Sequence, residues 1–98
     1  MRFEWDRDKE RANIRKHSGI DFEMASKVFD DPNFLLRKDR IDEATGEQRW
    51  HAIGEVPIDQ GGVLLVVVHV VRGNNGEEII RIISAREANK RECRLYFQ

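Results

Sequence analysis

Residues 63–71 read Val-Leu-Leu-Val-Val-Val-His-Val-Val, a run of β-branched and aliphatic side chains that is interrupted once by a histidine. Such a run is typical of a strand covered on both faces, so we expect it at the centre of a sheet. The motif Gly73-Asn74-Asn75-Gly76 follows at once and predicts a hairpin turn. The apolar segment Ile79–Ile83 then supplies the second strand of the hairpin. These segments indicate a fold organised around a sheet.

Three further segments are strand candidates, namely Phe3–Trp5, Phe34–Lys38 and Arg49–Ile53. A charged turn through Thr45-Gly46 separates the second from the third. A loop over residues 57–62, with one proline and two glycines, precedes the central strand. Short connections between successive strands predict an antiparallel meander.

Two helices are predicted between the first two strand candidates. Asp6 can cap a helix that runs to about His17 and lies on the surface, with Ala12 and Ile14 as weak core contacts. Asp21 caps a shorter, amphipathic helix, because the apolar residues after it recur at helical spacing. Those residues are Phe22, Ala25, Val28 and Phe29.

A third helix is predicted from Arg86 to about Tyr96. Ser84-x-x-Glu87 has the pattern of a capping box, which makes Ser84 the N-cap and places Arg86 in the first turn. A helix start presents free N–H groups and a positive dipole end, so it suits an anion. Arg81 lies just before this start. We therefore expect a pocket for phosphate here, and a nucleic acid as the ligand.

The order β-α-α-β-β-β-β-α predicts an α+β fold, an antiparallel meander with two N-terminal helices and a C-terminal helix packed against it. The chain has 98 residues and is 40% hydrophobic, so residues 1–98 are expected to form one domain around one core.

The charge is unevenly distributed although the net charge is only -1. Residues 1–80 hold 12 Lys and Arg against 16 Asp and Glu, whereas residues 81–98 hold 5 against 2. A basic C-terminal region on an acidic body indicates a local anion site. The single Cys93 cannot form an internal disulfide, and there is no signal region or membrane span, so we expect a cytoplasmic protein.

Four blocks of the sequence, in order along the chain, share a pattern of residue types with one known family. They are Phe3-Glu4-Trp5-Asp6 with Lys9, Asn13 and Lys16-His17-Ser18-Gly19; Phe22-Glu23-x-Ala25 with Val28-Phe29-Asp30-Asp31-Pro32; Gly46-Glu47-x-Arg49 with Ile53-Gly54; and Ile80-Arg81-Ile82-Ile83-Ser84-Ala85-Arg86. The chain resembles the BrnT toxins of bacterial type II toxin–antitoxin systems over nearly its whole length. It departs from their pattern at Ser18, which is inserted before Gly19, and at Glu87, where members tend to carry Lys.

The resemblance implies a fold similar to that of the RelE-type ribonucleases. It implies RNA cleavage without a metal or other cofactor, and an arrest of growth because translation is blocked. The implied partner is a BrnA-type ribbon-helix-helix antitoxin, and contact with DNA is expected only through the complex with that antitoxin.

Metal-free RNA cleavage requires cations that stabilise charge on phosphorus, together with a general base and a general acid. Arg81 and Arg86 suit the first role, because guanidinium binds phosphate bidentately and stays charged. Histidine is the residue type best suited to give or take a proton near neutral pH, so His17 is the acid or base candidate. Glu47 and Arg49 match a family block and are placed with the catalytic residues.

Each assignment has a structural alternative. A solvated strand face or a salt bridge to Glu47 also explains Arg81, and capping of a helix C-terminus also explains His17. A cross-strand ion pair between Glu47 and Arg49 explains that pair equally well. His51 and His69 lie inside apolar strands, where a structural role is the expectation.

RNA-backbone contacts are expected from the basic residues around this site. On the predicted third helix, Arg86, Lys90 and Arg94 fall at i, i+4 and i+8 and form one basic stripe. Lys16, beside His17, joins the predicted RNA-binding residues. Tyr96 can stack on a base, although core packing explains it at least as well. No metal site is predicted, because Asp30-Asp31 before Pro32 more simply ends a helix.

Two functions from different classes follow from the sequence. The first is an endoribonuclease toxin that uses Arg81, Arg86 and His17. The second is a non-catalytic module that holds its antitoxin and acts mainly as a co-repressor in a DNA-bound complex. Similarity of fold does not separate them, because function depends on the site.

Overall fold

The computed structural model describes residues 1–73 and 75–98. The strands are β1 (Arg2–Trp5), β2 (Leu35–Ile41), β3 (Gln48–Ile58), β4 (Gly61–Asn74) and β5 (Glu77–Glu87). The helices are α1 (Arg7–Lys16), α2 (Phe22–Ser26), which continues into a 3₁₀ turn over Lys27–Asp30, and α3 (Lys90–Tyr96). The fold is therefore α+β, as predicted. Within the described residues, no helix is long and apolar enough to cross a membrane.

The sheet has the strand order β1-β5-β4-β3-β2. Strands β2 to β5 form the predicted antiparallel meander, with β4 at its centre. Strand β1 pairs in parallel with β5, so the sheet is mixed and the prediction of a purely antiparallel sheet was wrong. The last strand of a meander has a free edge, and β1 covers it. In doing so, β1 adds Phe3 and Trp5 to the apolar core.

The core lies between one face of the sheet and the two N-terminal helices. Phe22, Ala25 and Val28 are fully buried against this face, which confirms the predicted amphipathic segment. The side chain of Asp21 accepts a hydrogen bond from Met24 N at 2.8 Å, as expected for an N-cap. Burying each large apolar side chain stabilises the fold by roughly 1.5–3 kcal/mol, so this helix is held mainly by its packing.

Helix α1 begins at the predicted cap, because Asp6 Oδ1 accepts from Asp8 N at 2.8 Å. Its contact with the core differs from the prediction. Ala12 and Ile14 are exposed, and Asn13 is the buried residue of this helix. A polar side chain is buried at low cost when its hydrogen bonds are satisfied, and Asn13 makes three.

Residues 84–87 remain in β5, so the prediction of a helix from Arg86 with Ser84 as its N-cap was wrong. They pair with Leu65–Val68 of the long strand β4, and Ala85 is fully buried there. A capping box stabilises a helix by only about 1 kcal/mol. Pairing of these four residues in the sheet stabilises the chain by more than that. Helix α3 starts three residues later, with a complete capping box between Asn89 and Glu92.

Candidate functional site

A β-bulge in β5 decides which face its arginines occupy. Val68 pairs with Ser84 and His69 pairs with Ile82, so Ile83 is an extra residue without a partner. Arg81 and Arg86 are five positions apart and would point to opposite faces of a regular strand. The bulge cancels this alternation, because Arg81 lies opposite Val70 and Arg86 opposite Val66, four positions apart on β4.

We call the sheet face away from α1 and α2 the arginine face. Cross-strand partners point to the same side, so the register assigns its members. They include Glu4 on β1, Arg37 on β2, Arg49 and His51 on β3, Arg72 on β4, and Arg81, Ser84 and Arg86 on β5. Helix α3 covers one end of this face and leaves the other end open.

At the end away from α3, a network of ion pairs occupies Arg81. Its Nη1 lies 2.8 Å from Glu4 Oε2, and the same carboxylate accepts from Arg72 at 3.3 Å. Arg72 also binds Glu47 bidentately, with both distances at 3.0 Å. This hydrogen bonding lowers the pKa of Glu47 and raises that of Arg72. The salt bridge considered between Arg81 and Glu47 is therefore absent, and Glu4 is the partner of Arg81.

Arg49 does not pair with Glu47 either. Its guanidinium lies 4.0 Å from Asp39 and 3.9 Å from Asp42, and the side chain is 15% exposed. In the described part of the chain, its Nε is buried without a hydrogen-bond partner. Arg49 is thus a largely covered cation at the middle of the arginine face, whereas Glu47 supports Arg72.

Near α3, Arg86 is held by a bidentate contact with Glu92, at 2.7 and 2.9 Å. The hydrogen bond from Arg86 lowers the pKa of Glu92. No helix begins at Ser84, so the predicted anion site made of a helix start does not exist there. Arg86 remains a phosphate candidate only through its own guanidinium.

The first cleft, about 310 Å³, is lined by Lys16, His17, Ser18, Ile20, Arg86 and Glu87. Three predicted site residues, Lys16, His17 and Arg86, therefore meet in one place. Arg81 is not among its lining residues. His17 ends α1, where its backbone N–H donates to Asn13 O at 2.8 Å.

The buried Asn13 joins the two walls of the first cleft. Its Nδ2 donates to Ile20 O at 3.0 Å and to Ala85 O at 2.9 Å, and its Oδ1 accepts from Ala85 N at 3.0 Å. These bonds fix the loop after His17 relative to the residue before Arg86. The asparagine of the first sequence block is therefore a structural residue that positions the cleft.

The second cleft, about 290 Å³, lies on the arginine face beside α3. Its lining residues are Arg37, Lys38, His51, Ile53, Asn89, Arg91, Glu92 and Leu95. Across residues 1–73 and 75–98, Arg37, Lys38 and Arg91 form no ion pair. The two clefts are neighbours, because Arg86 lines the first and its partner Glu92 lines the second. The second cleft therefore combines uncommitted cations with a histidine.

His51 lines the second cleft, whereas a structural role was expected for it from the sequence. Its side chain is 26% exposed, and its Nε2 lies 3.3 Å from Asp39 Oδ2. The signal was present in β3, where Arg49, His51 and Ile53 alternate with Trp50 and Ala52. Period-2 alternation places the histidine on the face of Arg49, away from the core.

His69 has the structural role that was expected. It is 1% exposed, its Nδ1 lies 3.1 Å from Val67 O, and its ring packs at 5.0 Å against Phe29 in an edge-on geometry. Burial lowers its pKa, because the charged form is poorly solvated there.

Helix α3 carries the remaining predicted RNA-binding residues. Lys90 and Arg94 are both exposed and lie one turn apart. Arg86 belongs to a strand, so the predicted three-residue helical stripe was wrong and this pair is what remains of it.

Tyr96 ties α3 to the segment that precedes β2. Its hydroxyl donates to Asp31 Oδ2, which also accepts from Glu55 N at 2.8 Å. The hydrogen bond to Asp31 raises the pKa of Tyr96 to about 12. Asp31 ends the 3₁₀ turn, as predicted for Asp30-Asp31. Among the described residues, no group of three or more His, Cys, Asp or Glu side chains is placed to hold a metal ion.

Comparison with known families identifies the chain. The model of the family described as "Ribonuclease toxin, BrnT, of type II toxin-antitoxin system" matches residues 5–92. The protein therefore belongs to the BrnT family of ribonuclease toxins, whose substrate is RNA and whose partner is an antitoxin. A search of curated proteins finds no match. The matched residues include both clefts except for Leu95 of the second.

Proposed function

We propose that this BrnT-family protein cleaves RNA without a metal ion and thereby inhibits translation in the cytoplasm. The observation that carries the proposal is the bulge at Ile83, which places Arg81 and Arg86 on one face with Arg49 and the second cleft. The nucleophile in such a reaction is the 2′-OH of the RNA itself. The protein then has to supply phosphate-binding cations and groups that transfer protons.

The RNA backbone is proposed to run from the first cleft, past Arg86, into the second cleft. Lys16 supplies charge at the start of this path, and Arg37 and Arg91 supply it at the end. Lys90 and Arg94 flank the path on α3. Uncommitted cations bind phosphate at low cost, since no existing ion pair has to be broken.

Arg81 and Arg86 are proposed to hold different phosphates, since their Cα atoms lie roughly 15 Å apart along the strand. Both have carboxylate partners, Glu4 and Glu92. A bound phosphate therefore shares or displaces these partners. His17, in the first cleft, remains a candidate for proton transfer, and Arg49 is proposed to add positive charge between the two arginines.

The antitoxin is proposed to be a BrnA-type ribbon-helix-helix protein that masks both clefts. A segment crossing cations such as Arg37, Lys38 and Arg91 needs acidic residues, which compete with RNA phosphates for the same groups. We propose that the antitoxin alone supplies the element that reads DNA. Association should slow as salt is raised.

The alternative function is a non-catalytic module that binds the antitoxin and acts as a co-repressor. One observation favours it, namely that Arg81 and Arg86 are both already paired with carboxylates. An activity measurement separates the two functions.

The test is incubation of the purified protein with single-stranded RNA in excess EDTA. We expect fragments with 2′,3′-cyclic phosphate and 5′-hydroxyl ends, and no cleavage of DNA of the same sequence, which lacks the 2′-OH. Intact RNA after prolonged incubation with folded protein would contradict the proposal and favour the co-repressor.

A further inference from the structure

One residue of the second cleft has a carboxylate partner that neither the family match nor the sequence patterns singled out. His51 on β3 lines the cleft, and its Nε2 lies 3.3 Å from Asp39 Oδ2 on the neighbouring strand β2. A carboxylate at this distance favours the tautomer with its proton on Nε2, so Nδ1 is left as the acceptor. A histidine held by a carboxylate is the arrangement that orients a general base.

We propose that His51 is the general base of RNA cleavage and that Asp39 is its positioning residue. The inference rests on the proposed function, since it assigns a role within metal-independent cleavage. It places the reacting phosphate in the second cleft, between His51 and the uncommitted cations Arg37 and Arg91.

In the reaction step, the imidazole nitrogen of His51 takes the proton of the 2′-OH. The 2′-oxygen forms a bond to phosphorus as the bond from phosphorus to the 5′-oxygen breaks. The 5′-oxygen takes a proton from water, and the imidazolium later returns its proton to solvent. The products are a 2′,3′-cyclic phosphate and a 5′-hydroxyl, with no net change in protons.

The groups around His51 suit this step. Charged side chains face it from β2, β3 and α3, and they are Arg37, Asp39, Arg49, Arg91 and Glu92. The cations among them attract the phosphate, whereas Asp39 and Glu92 stabilise the imidazolium that forms. Burial raises the pKa of Asp39, but a backbone hydrogen bond from Arg40 and the charges of His51 and Arg49 outweigh it, so Asp39 stays ionised.

The other two histidines are less suited to the role. His69 is buried under the helices and cannot meet RNA. His17 lines the first cleft, but in the described chain it makes no ion pair with a carboxylate. His51 is thus the reachable histidine with an orienting carboxylate.

The experiment measures single-turnover cleavage of a short single-stranded RNA in EDTA from pH 5 to 9. The proteins are the wild type, His51→Gln, Asp39→Asn and His17→Gln. Binding of an RNA with a 2′-deoxy group at the cleavage position is measured for each, and thermal unfolding checks the fold. We expect the wild-type rate to rise with pH as the general base loses its proton.

In His51→Gln the rate should fall by about 10²–10⁴-fold, and this rise with pH should disappear, while binding of the deoxy analogue changes less than about threefold. Asp39→Asn should keep the rise but move its midpoint to lower pH, because the imidazolium loses a neighbouring negative charge. If His51→Gln fails to fold, Asp39→Asn alone tests the proposal. A pH–rate profile of Asp39→Asn that is the same as that of the wild type would refute the proposed roles of His51 and Asp39.

If His17→Gln removes the rise with pH and His51→Gln does not, the base is His17 and the inference about His51 is overturned while the proposed function stands. If the wild type does not cut RNA in EDTA, both proposals fall.

Discussion

The two ends of the arginine face differ in how their charges are balanced. At the Arg81 end, every guanidinium is within 4 Å of a carboxylate, as in the chain of contacts from Arg81 through Glu4 and Arg72 to Glu47. At the α3 end, Arg37 and Arg91 face the second cleft with no ion pair in the described residues. The same sheet face therefore carries paired charges at one end and uncommitted cations, which the proposed RNA path uses, at the other. The difference also shows that the position of an arginine in a strand does not reveal whether its charge is free to bind a ligand.

The first prediction tests the Arg81 end of the face, where the guanidinium groups are paired with carboxylates. Arg81→Ala should lower RNA cleavage by about 10²-fold, because the phosphate that Arg81 is proposed to hold positions the RNA for cleavage in the second cleft, and toxicity on expression should be lost. Arg81→Lys should remain impaired, because an ammonium cannot bind phosphate bidentately.

Arg72→Ala is the matched control for Arg81→Ala, because it removes a second cation from the same Glu4 carboxylate. Its cleavage rate should stay close to that of the wild type. Thermal unfolding of both variants checks their stability. An equal loss of cleavage rate in Arg81→Ala and Arg72→Ala would show that Arg81 has only a structural role.

The second prediction concerns the α3 end of the face. Replacing Arg37 and Arg91 together by Ala should weaken binding of uncleavable RNA about tenfold. The slope of log affinity against log salt should become shallower by about 1.4, since each phosphate contact on a single strand contributes about 0.7. Replacing the exposed Arg7 and Arg15 of α1 should leave the slope unchanged. If the Arg37/Arg91 and Arg7/Arg15 double variants have the same salt slope, Arg37 and Arg91 do not contact RNA phosphates.

The third prediction tests what holds α3 beside the second cleft. Tyr96→Phe should lower the free energy of unfolding by about 1 kcal/mol, the usual contribution of a hydrogen bond, while the ring remains available for stacking. The folded-state pKa of Tyr96 is raised to about 12 from 10, so its contribution is present below pH 10 and lost as pH rises to about 12. Urea unfolding across this range should show a decline in the wild type that the variant lacks.

The smallest effect is expected at the boundary between the clefts. Glu92→Gln should tighten RNA binding by about threefold, because Arg86 loses the carboxylate that competes with phosphate and keeps only a neutral hydrogen-bond acceptor beside it. Gln still completes the capping box with Asn89, so α3 should remain intact. Glu23→Gln on α2 is the control. Unchanged affinity in Glu92→Gln would show that the Arg86–Glu92 pair does not limit access to Arg86.

Local signals predicted much of the fold. The caps Asp6 and Asp21 and the apolar spacing after Asp21 gave the first two helices, and the aliphatic run 63–71 gave the central strand. These features depend on neighbours in sequence, which are visible without a structure. The start of α3 was missed although Asn89 and Glu92 form a capping box, because an earlier Ser84-x-x-Glu87 pattern competed with it.

The candidate site was only partly predictable. Lys16, His17 and Arg86 do meet in one cleft, but the partners of Arg81 and Arg86 were not foreseen. Glu4 is 77 positions from Arg81 in the sequence. The two side chains meet only because β1 pairs in parallel with β5. No local pattern encodes such a pairing. His51 was visible in the alternation of β3, but its role depends on Asp39 across the strand pair.

The sequence by itself determined the family, the α+β class, the helix caps near the N-terminus and the residue types available for phosphate binding. The tertiary structure decided where those residues act. Pairing with the long strand β4 kept residues 84–87 in β5, and the bulge at Ile83 brought Arg81 and Arg86 to one face. The physical reason is that propensities and caps act within a few residues, whereas strand register is set by hydrogen bonds and burial between distant segments. One extra residue in that register reverses the face of every side chain beyond it.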